Sequence, residues 1–169
     1  MKHFVLASVL WAACGVIHAA DVDANNIINA LKPKAAEGQM RTRSLRNLQV
    51  EQLPPPSVSL TIQFDFDSSK VSNSSASQLT QLAKALKSDD LSALSFRIEG
   101  HTDGKGTPEY NLTLSQNRAD AVKKHLQRLG VATDRLETEG MGDKDLVNKE
   151  DKFAAENRRV RIVTLNTSK

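Results

Sequence analysis

The segment SVSLTIQFDFD, Ser57 to Asp67, places Val58, Leu60, Ile62, Phe64 and Phe66 at every second position. Side chains of an extended chain point alternately to two faces, so this spacing predicts a strand with one buried side. The period then changes. In SASQLTQLAKALKS the apolar residues Leu79, Leu82, Ala83 and Leu86 recur every three or four positions, the stripe of an amphipathic helix, with Ser75 and Gln78 spaced as its capping box. LSFRIEG alternates again through Leu94, Phe96 and Ile98 and ends at Gly100. A second helix is expected from about Leu114 to Leu129, with Ala119, Val122, Leu126 and Leu129 inward, Thr113 and Gln116 as its capping box and Gly130 as its stop. RLETEG reads as a short strand, residues 150–156 as a weak third helix, and RRVRIVTLN as a closing strand. The order of elements implies an α+β fold, a βαβαβ(α)β sandwich with helices packed on one mixed four-stranded sheet.

Nothing before Ser57 shares this pattern. Met1-Lys2-His3 is a short basic lead, Phe4 to Ala13 is an apolar run too short to span a bilayer, and small residues continue to Ala20. That is the layout of a secretory signal over residues 1–20, with cleavage after Ala19 or Ala20. The single cysteine, Cys14, follows Ala12-Ala13 as a lipid-modified cysteine would, but Trp11 stands where a leucine is usual, so simple cleavage fits better. Cleavage there leaves no cysteine for a disulfide, a thiolate nucleophile or a thiolate metal site. Residues 21–56 read as a leader: a short helix around Asp23 to Leu31 stopped by Lys32-Pro33, a basic strip with Arg41, Arg43 and Arg46, and the stiff run Pro54-Pro55-Pro56 as the boundary. The strip is expected to be a solvated flexible tail, with docking of an envelope partner through residues 21–50 as the alternative. One domain, residues 57–169, remains. A net charge of +3 without an aromatic, basic platform argues against nucleic acid as a partner.

The residues of chemical interest crowd into IEGHTDGKGTPEYNLTLSQNRADAV. His101, Asp103 and Ser115 are the residue types of a hydrolytic triad, yet no nucleophile elbow surrounds Ser115, which is better explained as a capping residue in the first turn of a helix. His101 and Asp103 fall short of a zinc ligand set, and His125 belongs on the outer side of the helix, so no metal site is expected and His101 reads as a hydrogen-bonded structural residue. A third option suits the residue types better. Asp103 opens a loop that contains Gly104 and Gly106, and Arg118 follows on the next helix. A carboxylate and a guanidinium across such a loop could hold the two charges of a zwitterion. They could equally form an internal salt bridge, and spacing does not choose between the two.

GHTDGKGTPEYNLTLSQNRADAV, RLETEGMGD and NRRVRI, in that order, closely resemble the OmpA-like C-terminal domain family, over about Val58 to Leu165. GTPEYN is especially similar to its Pal-like variant. The resemblance implies a non-enzymatic periplasmic domain that uses no cofactor and binds peptidoglycan through the diaminopimelate of its stem peptide. It implies that Asp103 and Arg118 grip the amine and carboxylate of that residue, with Thr102 beside Asp103 and Asn111 bracing the loop or donating to the ligand. Arg158 and Arg159 of NRR match family arginines near the same edge, and Asp65 to Ser68, including Asp67, corresponds to a wall of the pocket. The expected role is tethering of the envelope or of a partner to the cell wall, with outer-membrane association. An envelope protein adaptor with secondary wall binding is the alternative, and a hydrolase is the outlying one.

Overall fold

A computed structural model of the chain describes residues 23–33, 54–62, 64 and 71–165. In chain order the elements are α1 (Ala24–Leu31), β1 (Ser57–Leu60), α2 (Asn73–Leu86), β2 (Ser95–His101), α3 (Pro108–Arg128), β3 (Leu136–Gly142) and β4 (Val160–Leu165). The sheet order is β1-β4-β2-β3. β4 lies antiparallel between β1 and β2, and β3 runs parallel to β2 on its other side. Three strands therefore run one way, and the last strand of the chain is inserted among them in the opposite sense, giving the expected mixed sheet with helices against it.

The alternating and helical stripes meet in a single core. Val58, Leu60 and Ile62 join Phe96, Ile98, Leu136, Val160 and Ile162 from the sheet, and Leu79, Leu82, Leu86, Ala119, Val122 and Leu126 from the helices. β1 is shorter than its pattern predicts: pairing ends at Leu60, and Phe64 is bridged to Val71 outside the ladder. Phe66 and Asp67 lie outside the described residues, as do the proposed signal segment with Cys14 and the strip from Arg41 to Arg46. α2 starts earlier than the Ser75–Gln78 capping box implies, with Ser72 at the N-cap and Ser75 already buried one turn in. No third helix forms over 150–156. A single 3-10 turn, Ala155–Asn157, takes its place.

α1 lies within the segment expected as a leader, and its buried face joins the core. Its helix is short because Asp23 caps it, accepting from the Asn25 amide, and Lys32 turns extended ahead of Pro33. An isolated helix of this length is unstable in water, so docking must hold it. Ala24, Ile27 and Leu31 share one face and are buried in the core, and the Thr164 hydroxyl on β4 donates to the Leu31 carbonyl at 2.8 Å. At the other end of the leader the Pro56 carbonyl accepts from the Thr164 amide at 2.9 Å, so both described ends of the segment are fastened to β4. Burying side chains of the size of Ile27 and Leu31 is worth about 1.5–3 kcal/mol each.

A candidate binding site where beta 2 meets alpha 3

The loop after β2 and the first turns of α3 carry the candidate residues, and local chemistry sets both. α3 begins at Pro108, one and a half turns before the expected Leu114. Thr107 is the N-cap, its hydroxyl accepting from the Tyr110 amide at 3.2 Å, and Pro108 takes a helical position where no amide hydrogen is needed. The Thr113–Gln116 pair thus sits inside the helix. Thr113 donates back to Glu109, while Gln116 accepts from the Gly140 amide at 2.7 Å and donates to Thr138 and Asp120.

The earlier start puts Asn111 and Ser115 on the same buried face as Ala119, Val122 and Leu126, so that face is polar at its N-terminal end and apolar beyond. Ser115 is consequently no first-turn cap. Its hydroxyl donates to Leu112 O at 2.8 Å and accepts from the Gly142 amide at 2.9 Å, pinning α3 to β3. Two glycines allow this approach. A Cβ on Gly100 would run into the Ser115 carbonyl, and one on Gly140 would lie 2.7 Å from the Gln116 nitrogen.

Asp103 is held from several sides. Its Oδ1 accepts from the Lys105 amide at 3.2 Å, and its own carbonyl accepts from Asn111 Nδ2 at 3.4 Å. The neighbouring Gly104 amide donates to Lys152 O at 2.8 Å, tying the loop to the long segment that precedes β4. From that segment Arg158 reaches across 55 residues of sequence and donates to Asp103 Oδ2 at 2.8 Å. The Asp103 side chain is 14% exposed and that of Arg158 46%. Thr102 and Asn111 are buried at 2% and 1%, so they support the loop rather than line its surface. Arg118, two turns beyond Asn111 on α3, stacks over the Phe64 ring with its guanidinium carbon 4.9 Å from the centroid. Lys105 and Tyr110 are exposed at the loop rim, and Phe153 is exposed on the segment before β4.

Adjacent residues of an extended chain diverge, and the NRR arginines do so here. While Arg158 faces Asp103, Arg159 is buried at 5% and donates to Asp145 Oδ2 at 3.2 Å. Arg161, two residues on, shares Asp145 at 3.2 Å and grips Glu99 at 2.6 Å. His101 completes this network without the hydrogen bonds its sequence position suggested. Among the described residues neither ring nitrogen has a hydrogen-bond partner, and the Glu99 carboxylate lies 3.7 Å from Nε2. Burial, together with the charges of Arg159 and Arg161, pushes the His101 imidazole below its ordinary range, with Glu99 only partly opposing. For Glu99 burial favours the neutral acid, but His101 and Arg161 outweigh it and hold the carboxyl below the usual range.

Asn157 is the residue that sequence reasoning missed. Fully buried, it donates through Nδ2 to the carbonyls of Asn148, Asp151 and Lys152 and accepts from the Asn148 amide at 2.9 Å. It shapes the whole turn that presents Arg158. Its only signal in the sequence is an asparagine beside two arginines. Among the described residues, no group of three or more His, Cys, Asp or Glu is arranged to hold a metal ion. The groove lined by Thr80, Lys84, Lys87 and Leu129 lies toward the C-terminal ends of α2 and α3 and shares no residue with this cluster.

Residues 63–161 match the model of the OmpA family. The chain is 38% identical over 105 residues to the peptidoglycan-associated lipoprotein of Buchnera aphidicola, an alignment covering 60% of each protein. It is 40% identical over 87 residues to outer membrane porin F of Pseudomonas aeruginosa, covering 51% of this chain and 24% of the porin. It thus spans less than two thirds of these curated relatives. Among solved structures, the peptidoglycan-associated lipoprotein of Burkholderia pseudomallei superposes with a TM-score of 0.53 at 37% identity, covering 63% of this chain and 89% of that one. The periplasmic domain of Helicobacter pylori MotB, 20% identical, shares the fold alone, with a TM-score of 0.59 over 71% of this chain and 80% of that one. Since the matched span runs through β2, the Asp103 loop, α3, β3 and the turn that presents Arg158, the chain belongs to the OmpA family.

Proposed function

We propose that this domain binds peptidoglycan without chemical change, through the zwitterionic end of the diaminopimelate in its stem peptide. The observation that carries the reading is the Asp103 carboxylate, largely buried, oriented by the Lys105 amide and directed to a cationic partner at the surface. A carboxylate so placed suits a ligand ammonium. Arg118, on the following helix, is the guanidinium for the ligand carboxylate, and its stacking on Phe64 restrains it at little entropic cost. Thr102, Asn111 and Arg159 hold the site in shape. Matches to proteins called peptidoglycan-associated lipoproteins support the same ligand.

Charge-assisted hydrogen bonds of this kind contribute about 1.5–3 kcal/mol each, so a few of them give modest affinity for one stem peptide. Retention on the wall comes from its many repeated sites. The protein works in the periplasm, associated with the outer membrane, after removal of residues 1–20, and fastens the envelope or a partner to the wall. Purified sacculi sediment the protein in the test. Asp103→Ala and Arg118→Ala each remove most of that co-sedimentation while circular dichroism stays native, and free diaminopimelate competes with the parent protein. Undiminished sedimentation of both variants refutes the site.

A further inference from the structure

Asp103 already carries a cation. Its carboxylate is 14% exposed, so a bare charge there would be poorly hydrated, whereas Arg158 is 46% exposed and can return to water at little cost. The asymmetry makes Arg158 the exchangeable member of the pair. Its remaining contact among the described residues is weak, a 3.5 Å hydrogen bond from Nη1 to the Phe153 carbonyl. The other oxygen of Asp103 is occupied by the Lys105 amide of its own loop, a bond that exchange with a ligand need not disturb.

Resting on the peptidoglycan reading above, we propose that Arg158 is a placeholder for the ligand's ammonium. In the free protein its guanidinium nitrogen, 2.8 Å from Oδ2, stands where the ligand's cation comes to rest, and binding is an exchange of one cation for another. Two consequences follow from the exchange. Arg158 weakens binding, because every ligand must first displace it. A peptide whose side-chain amine has been acylated carries no replacement cation and leaves Arg158 in place.

The test measures calorimetric binding of a diaminopimelate-containing stem peptide, with its side-chain amine free or acetylated, to the full chain. The parent protein and the variants Arg158→Met and Asp103→Asn are compared. The free-amine peptide binds the parent, binds Arg158→Met on the order of two- to fivefold more tightly, the range set by the strength of partly exposed ion pairs, and does not bind Asp103→Asn. In nuclear magnetic resonance spectra the Arg158 guanidinium signals of the parent shift on addition of the free-amine peptide and stay in place with the acetylated one. Arg158→Met binding equally or more weakly, with parent binding and Asp103 dependence intact, overturns the placeholder and leaves the site reading standing. Arg158 signals unmoved at saturation overturn it too, whatever the stability of the variant. Failure of the parent to bind the free-amine peptide sinks both.

Discussion

Gly100→Ala adds one methyl group at the most crowded junction of the molecule. The new Cβ would overlap the Ser115 carbonyl oxygen and lie 2.9 Å from its carbon and 3.3 Å from its Cα. All three are backbone atoms inside a helix, so no side chain can turn aside to make room. β2 and α3 must separate by about 1 Å, which places the cost at the upper end of the overpacking range, about 3 kcal/mol. For a domain of this size that lowers Tm by roughly 10–15 °C. The same shift stretches the Ser115 hydroxyl bond to the Gly142 amide and pulls Asn111 away from the Asp103 carbonyl, so sacculus binding falls together with stability. Gly104→Ala is the control. There the atoms nearest a Cβ are Lys152 Cβ, Cγ and Cδ at 3.2 Å, a contact that a shift of a few tenths of an ångström relieves, so the cost sits at the lower end of the overpacking range, about 1 kcal/mol, and Tm falls by only about 4 °C. Calorimetric melting of both variants decides the matter. A Gly100→Ala protein that melts like Gly104→Ala refutes the backbone contact between β2 and α3.

Two further perturbations probe the parts that the site depends on. Leu31→Ala empties a fully buried position of α1 and costs about 2–5 kcal/mol in chemical denaturation; a loss below 1 kcal/mol would mean that α1 is no part of the core. Lowering the pH destabilises the protein in two stages. His101 is held neutral by burial, so its environment imposes no cost above about pH 6.5, and below that the unfolded chain gains a proton that the folded one resists. Glu99, whose carboxyl is depressed, stabilises the fold above about pH 4.5 and loses that contribution as the pH falls further. Thermal melts from pH 8 to about pH 3 take in the first stage and the onset of the second, and His101→Gln should flatten the first of them. An unchanged slope between pH 6.5 and 5 in that variant contradicts the assignment.

The sheet and the helix stripes were legible because burial imposes a period, and Val58, Leu60, Phe96, Ile98, Val160 and Ile162 all lie where alternation put them. Helix starts were less legible. Thr113 with Gln116 and Ser75 with Gln78 have the spacing of capping boxes, but a cap also needs the preceding backbone to be non-helical, which spacing does not reveal. Pro108 behind Thr107 was the better signal. The amphipathic stripe of α1 was readable, while its docking depends on contacts distant in sequence, among them the Thr164 hydroxyl 133 residues beyond Leu31. At the site the motif singled out Asp103, whose carboxylate accepts from Arg158 in the structure. Its partner Arg158 comes from the other end of the domain, and only the fold reveals that Arg158, rather than the adjacent Arg159, faces it. Asn157 was invisible for a related reason: its importance lies in the carbonyls that converge on it.

The place of β4 in the sheet governs when the molecule can fold. Among the described residues β1 pairs only with β4, and β2 has β4 on one side, yet β1 ends at Leu60 and β4 begins only at Val160. A ribosome or a secretion channel releases the chain from its N-terminus, so the sheet cannot close until β4 has emerged. Pairings this distant in sequence also form slowly, because a long loop must close before any of them is rewarded. β1 and β2 therefore lack the strand that joins them until β4 arrives, and the sheet stays open until then. α1 and Pro56 lock onto β4 as well, so the final strand to appear is the one that fastens the first.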